Sequence, residues 1–327
     1  MKPGSASKQS NAWQDGTGEL AKIAVNQIRP NPENPRLTFR QGELDELQES
    51  IRRYGVKVPI AVFKSGTAYV LIDGERRWRC ASKLNLKTIP ALIQPEPDPL
   101  QNLLLMFNIH ALREQWDLLT VALKLPKVIS LLENELERVP TEIDLSEYTG
   151  LSRGWIRRCR LLTQLPKKYL DLLLEELKKP QSKRAVGEDF FIEMEKALKS
   201  VMRAMPDAID NIDSARDVLL AKYRAKLIQS NIEFRKLAKI ARASKVGADL
   251  AAAKKAIKRL VSDPRYSITE AWTATVSEAY IERDILTRIE LLLAKLSEVT
   301  ATEMDLDVRE KLEELVERAQ KILEDDE

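Results

Sequence analysis

Apolar residues fall into two kinds of spacing along this chain. Before residue 95, short β-branched or aromatic runs around 21–25, 60–63 and 69–72 predict strands, and three- and four-residue spacings predict helices over 43–54 and 76–84. After the proline-rich break PEPDP at 95–99 the spacing is helical almost throughout. Residues 100 to about 137 predict helix, with Pro126 marking a start or a kink. A turn-containing linker follows at 180–190, and then further helices to the end, broken near 205–207, 245–248 and 263–265. The pattern predicts a small α+β domain over 21–97, an all-α domain over 98–180 and an all-α region over 190–327. Residues 1–20, rich in Ser, Gly, Asn and Gln, read as a flexible leader.

Two segments carry candidate chemistry. In YVLIDGERRWRCASKLNLKTIP (69–90) an apolar strand runs into Gly74 and Glu75, then Arg76, Arg77 and Arg79 at the start of a helix. Guanidinium groups beside the unsatisfied N–H groups of a helix N-terminus suit a phosphate. Arginines there oppose the helix dipole and call for a compensating anion, from the protein or from a ligand. The competing reading is a solvated basic face with ordinary surface ion pairs. Asp73 is placed to cap the helix, and Glu75 is either a catalytic or metal-linked carboxylate or an ion-pair partner that orients the arginines.

The second segment, DLSEYTGLSRGWIRRCRLLTQLP (144–166), reads as a helix-turn-helix. Gly150 supplies the tight turn and Ser152 the N-cap of the second helix, while Leu145, Tyr148, Leu151, Ile156 and Leu161 or Leu162 fall where such a motif buries its core. Arg153, Trp155, Arg157, Arg158 and Arg160 decorate the second helix without an acid, the composition of a major-groove recognition helix. The alternative is an ordinary helical hairpin with a basic exposed face.

Charge changes the picture further along. The net charge of +3 conceals twelve Lys and Arg against two acids over 222–259 and seven against seventeen over 268–327. Lys236, Lys239, Arg242, Lys254, Lys255 and Lys258, with Tyr223 and Phe234 nearby, form either a phosphate-tracking surface or a solvated face. The acidic part carries apolar stripes at Ile281, Ile285, Ile289, Leu292 and Leu296 and at Val308, Leu312, Leu315, Ala319 and Ile322. These predict a helical hairpin in an internal core or, alternatively, a dimer seam. Two cysteines without CxxC spacing and a single histidine, His110, argue against a disulfide framework, a zinc site and a Ser-His-Asp triad. No clustered carboxylates are spaced for two-metal chemistry. No apolar run of membrane-spanning length or hydrophobic signal core is present, so the expected location is the cytoplasm.

Four ordered blocks carry a family resemblance: NPENPR (31–36), LDELQESIRRYGV with PIAV (44–62), YVLIDGERRWRCA (69–81) and LKTIPALI (86–93). Over 28–93 the chain resembles the N-terminal domain of the ParB family of DNA-partition proteins, which shares its fold with sulfiredoxin. The resemblance implies a nucleotide, CTP with magnesium, held by Gly74, Glu75, Arg76, Arg77 and Arg79, with Gly55 to Pro59 as a nucleoside-facing loop. It also implies a helix-turn-helix domain next in the chain, a homodimeric DNA clamp associated with nucleoid or plasmid, a partner ATPase, and slow CTP hydrolysis. The stretch Phe107, Asn108, Ile109, His110, Arg113, Trp116 matches a family motif in Asn108, but Phe107 replaces its metal-binding acid. Either another acid such as Glu114 substitutes, or nucleotide binding is weakened, or hydrolysis is lost while binding remains. Two other functions stay open: a nucleotide-independent DNA-binding regulator, and an ATP-dependent phosphotransferase of the sulfiredoxin or serine-kinase type. The region beyond residue 190 is longer than the family's usual dimerisation domain.

Overall fold

The computed structural model describes residues 18–34, 41–110, 117–299 and 305–324, which form two compact units parting between Ile192 and Glu193. In the first unit, strands β1 (Glu19–Ala24), β2 (Ile28–Arg29), β3 (Ile60–Ser65), β4 (Ala68–Asp73) and β5 (Thr88–Gln94) make one mixed sheet in the order β1-β5-β3-β4-β2. Helix α1 (Gln41–Tyr54) precedes β3, and α2 (Glu75–Lys83) joins β4 to β5. Central β3 pairs antiparallel with β4 (Val62 opposite Leu71) and parallel with β5 (Ile60 opposite Ala91). Alternation along these strands puts Ile60, Val62, Leu71, Ile89 and Ala91 into one core with Ala81 of α2, and Trp78 packs against it. A smaller cluster of Leu44, Ile51 and Cys80 joins α1 to α2. At about 1.5–3 kcal/mol for each large apolar side chain buried, these contacts anchor the β4–α2 turn on both sides.

Two strands do not follow from periodicity. β2 has two residues, too few for a pattern, and β5 contains Pro90, which argues against a central strand. Its ladder to β3 begins only at Ala91, while β1 pairs Lys22 with Pro90 on the other edge. The proline therefore sits where the strand is paired on one side.

Helices α3 (Pro99–His110), α4 (Leu118–Leu136), α5 (Glu142–Thr149), α6 (Arg153–Thr163) and α7 (Lys167–Lys178) complete the first unit, with α3 packed on β4 and α4 on α6. Pro126 lies inside α4 and does not start it. The division between the units falls within α8 (Glu188–Ala204). The second unit continues with α9 (Ile212–Arg224), α10 (Glu233–Ile240), α11 (Leu250–Ser262), α12 (Ile268–Thr273), α13 (Ser277–Leu296) and α14 (Leu306–Glu324). Its core includes Leu219, Phe234, Leu237, Ile257, Leu260 and Ile268.

The two acidic helices do not bury their apolar stripes in the internal core expected of them. No residue of α13 or α14 is buried, and Ile285, Leu315 and Ile322 remain 51%, 46% and 68% exposed. Both cysteines are buried; burial pushes the Cys80 thiol up and that of Cys159 up to about 12, so neither supplies a thiolate at neutral pH. Most of the expected leader, together with Arg113, Glu114, Trp116 and the side chain of His110, lies outside the described residues.

Candidate nucleotide and DNA sites

The β4–α2 turn is set by Gly74, whose φ of 95° lies in the left-handed region. A Cβ there would stand 2.7 Å from Cγ2 of the buried Ile60, so sterics and backbone both demand glycine. Gly74 occupies the N-cap position of α2 and has no side chain to cap with. The first intrahelical bond is the Trp78 N–H to the Gly74 carbonyl, which leaves the N–H groups of Glu75, Arg76 and Arg77 at the head of the helix. Asp73 closes over the turn: its Oδ1 accepts the N–H of Gly74 at 2.7 Å and its Oδ2 accepts Arg77 at 3.1 Å.

The three arginines do three different things. Arg77 donates to the carbonyls of Val58 and Pro59 at 2.8 and 2.5 Å, tying the 55–59 loop to the turn, while the N–H of Gly55 closes α1 on Ile51. Arg76 reaches the first turn of α1, 3.2 Å from the Glu43 carbonyl and 3.4 Å from its carboxylate. Arg79 donates twice to Oε1 of Glu75, at 2.9 and 2.6 Å. The other oxygen of Glu75 accepts Nδ2 of Asn34 at 2.6 Å. The compensating anions are thus carboxylates of the protein, and Glu75 orients both an arginine and an asparagine.

Asn34 joins the candidate site through Glu75, a contact that periodicity and spacing do not reveal, because 41 positions separate the two. Its neighbour Asn31 is buried and donates to the side chain of Asn102 on α3 at 2.8 Å, linking the NPENPR block to the helix that carries Asn108. Asn108 is exposed, whereas Phe107 is fully buried in the core and offers no oxygen to a metal. Among the described residues no group of three or more His, Cys, Asp or Glu side chains is placed to hold a metal ion.

Residues 142–163 fold as two short helices with a tight turn. Thr141 and Asp144 form a capping box on α5, and Arg138 with Thr141 holds the Asp144 carboxyl well below the usual carboxylate range. Gly150 ends α5 at φ 71°, and the Ser152 hydroxyl caps α6 by accepting the Trp155 N–H. Leu145, Leu151, Ile156 and Leu162 are buried as expected. Tyr148 is not: Thr149 takes the inward position, its hydroxyl donating to the Leu145 carbonyl and accepting from the Leu151 N–H. The arginines divide here too. Arg153, Arg157 and Arg160, on one stripe of α6, gather round Glu142 of α5 at 3.9, 2.8 and 4.0 Å. Arg158 points elsewhere and pairs with Asp189 at 2.5 Å.

In the second unit the basic run is less available than its count suggests. Lys222 is buried and donates to the carbonyls of Asp263 and Tyr266, both at 2.6 Å, and burial lowers its pKa. Lys254 pairs with Asp207 at 2.7 Å, Lys236 donates to the Thr269 hydroxyl at 3.3 Å, and the Lys239 ammonium covers the Trp272 and Tyr280 rings. Arg242, Lys255 and Lys258 are exposed.

The family model of the ParB N-terminal domain matches residues 9–107, the segment that holds the sheet, the Gly74 turn and α3. The chain carries a ParB N-terminal domain. Among curated ParB proteins, the chromosome-partitioning protein ParB of Caulobacter vibrioides is 34% identical over 164 residues, 49% of this chain and 51% of that protein. Stage 0 sporulation protein J of Bacillus subtilis is 31% identical over 157 residues, 48% of this chain and 53% of that protein. The chain thus spans about half the length of these relatives. A crystal structure of the C-terminally truncated ParB from Caulobacter crescentus complexed with CTP-gamma-S is 28% identical and covers 56% of this chain and 99% of its own, with a TM-score of 0.28.

Proposed function

We propose that this ParB-family protein is a nucleotide-gated DNA clamp acting in chromosome or plasmid partition. The observation that carries the reading is the head of α2, where three N–H groups, Arg76 and Arg79 converge on one turn anchored by Arg77. A polyphosphate accepting from those N–H groups replaces Glu43 and Glu75 as partner of Arg76 and Arg79. Because Arg77 holds the 55–59 loop and Glu75 holds Asn34, the exchange is felt in the loop, in the NPENPR block and through Asn31 and Asn102 in α3. CTP is the proposed nucleotide, by family resemblance. Magnesium fits as a companion of the phosphates, an ion that needs one or two carboxylates besides them. With Phe107 buried, we assign nucleotide binding and not hydrolysis.

Titration calorimetry of CTP, ATP, GTP and UTP with magnesium, with and without mixed-sequence DNA, tests this. CTP is expected to bind, more tightly with DNA present, and Arg76→Ala to weaken it by more than about tenfold, since a charge-assisted phosphate contact contributes roughly 1.5–3 kcal/mol. Loss of the half-exposed Arg76–Glu43 pair, 3.4 Å apart, costs the fold little. Absence of any nucleotide binding would leave a DNA-binding regulator, and ATP preference with turnover of a small acceptor would move the protein to phosphotransfer.

DNA is the proposed partner of α6, and a partition ATPase the proposed protein partner. A second copy of the chain is proposed for the exposed stripes of α13 and α14, whose 308, 312, 315, 319, 322 spacing alternates four and three residues. The double substitution Ile285→Glu with Leu315→Glu is expected to convert dimers to monomers in sedimentation velocity. Wild-type protein that sediments as a monomer at tens of micromolar, or a variant that stays dimeric, would remove this seam.

A further inference from the structure

The recognition helix carries a carboxylate that its own sequence lacks. Glu142, at the first position of α5, places Oε2 2.8 Å from Nε of Arg157 and 3.9 Å from that of Arg153, and Oε1 4.0 Å from a terminal nitrogen of Arg160. Positions 153, 157 and 160 lie one turn apart on a single face, so one acid is shared by the whole stripe. Its carboxylate is 26% exposed, against 55%, 59% and 36% for the three arginines, so the acid sits beneath an exposed basic layer. At the N-terminus of α5 the helix dipole favours it.

We infer that Glu142 determines DNA specificity by holding the Arg157 guanidinium in one orientation and cancelling part of the charge of all three arginines. The inference rests on the DNA-binding reading of α6. Phosphate contacts by mobile arginines give affinity without sequence information, whereas a fork held in one orientation reads a base edge bidentately. A carboxylate touching the stripe taxes the first kind of binding at every sequence. It leaves the second where a guanine replaces or extends the ion pair. Arg158, paired with Asp189, is outside this arrangement.

Two variants of the full chain test it, Glu142→Gln and Glu142→Asp, the second keeping the charge at the helix start while withdrawing it from the forks. Binding of a fluorescein-labelled mixed-sequence 30-base-pair duplex is followed by anisotropy across a series of KCl concentrations. Both variants are expected to bind more tightly, by about tenfold for each arginine released at 0.1 M salt, with the log–log salt slope steeper by about 0.9 per arginine. Selection from a randomised duplex pool is expected to yield a less defined consensus than the wild type does. Arg157→Ala serves as reference and is expected to weaken binding and flatten the slope. Should Arg157→Ala change the slope while both Glu142 variants match the wild type in affinity, slope and consensus, the role of Glu142 is overturned and DNA binding by α6 stands. Should Arg157→Ala, Arg153→Ala and the Glu142 variants all match the wild type, the DNA-binding reading of α6 fails with it.

Discussion

Gly74→Ala is expected to destabilise the first unit by roughly 2–6 kcal/mol and to abolish nucleotide binding. Two independent costs meet at this position. A residue with a Cβ held at φ 95° pays backbone strain of about 1–3 kcal/mol. The new methyl lies 2.7 Å from Ile60 Cγ2, and Ile60 is fully buried in central β3 with no solvent to move into; overpacking of this kind adds about 1–3 kcal/mol. Relief comes only by displacing the turn, which moves the N–H groups at the head of α2 and breaks the Arg77 bonds to Val58 and Pro59. Urea unfolding and CTP calorimetry on the same preparation measure both effects. A midpoint equal to the wild type's would show that the turn is not the constrained element described here.

The second large effect is expected far from either site. Glu195, 2% exposed on α8, receives Nε of Arg216 at 2.7 Å and a terminal nitrogen at 2.9 Å, while the exposed Asp213 takes the third nitrogen at 2.6 Å. Glu195→Gln keeps the volume and removes the charge, leaving a guanidinium in a dry site with only a surface acid for company. Breaking a buried pair from one side typically costs about 3–5 kcal/mol, and that loss is expected in the second unit. Replacing both partners by apolar residues, Glu195→Met with Arg216→Leu, is expected to restore most of it, because no buried charge is then orphaned. Chemical denaturation of the single and double variants decides: a single variant as stable as the wild type would mean that the pair is solvated.

The same pair shows the limit of reading one dimension. Glu195 and Arg216 are 21 positions apart among many charged residues, and nothing in their spacing separates them from a solvated face. Lys222 was counted with a basic surface for the same reason, yet its ammonium is buried against two carbonyls of the α11–α12 connection. Charge in a sequence states what a side chain carries; its partners depend on which helices pack, and packing is a property of the whole unit.

Local rules, in contrast, were legible wherever one backbone segment suffices. The strand–glycine–helix turn at 73–75, the Ser152 cap, the Gly150 turn and the breaks near 205, 245 and 263 depend on steric preferences and hydrogen bonds within a few residues, and the structure forms them where the sequence places them. The four ordered blocks likewise sufficed to identify the ParB N-terminal domain that the family model matches over residues 9–107. What needed the tertiary structure were the pairings across the chain: Asn34 with Glu75, Arg76 with Glu43, Glu142 with the α6 arginines, Pro90 on a strand that β3 joins only at Ala91. It also decided that the α13 and α14 stripes stay exposed, since periodicity names the apolar face of a helix but not what covers it. The physical reason is common to all of these. A cap or a turn is an equilibrium among neighbours in sequence, whereas a shared carboxylate or a buried face is fixed only when distant segments have given up their water together.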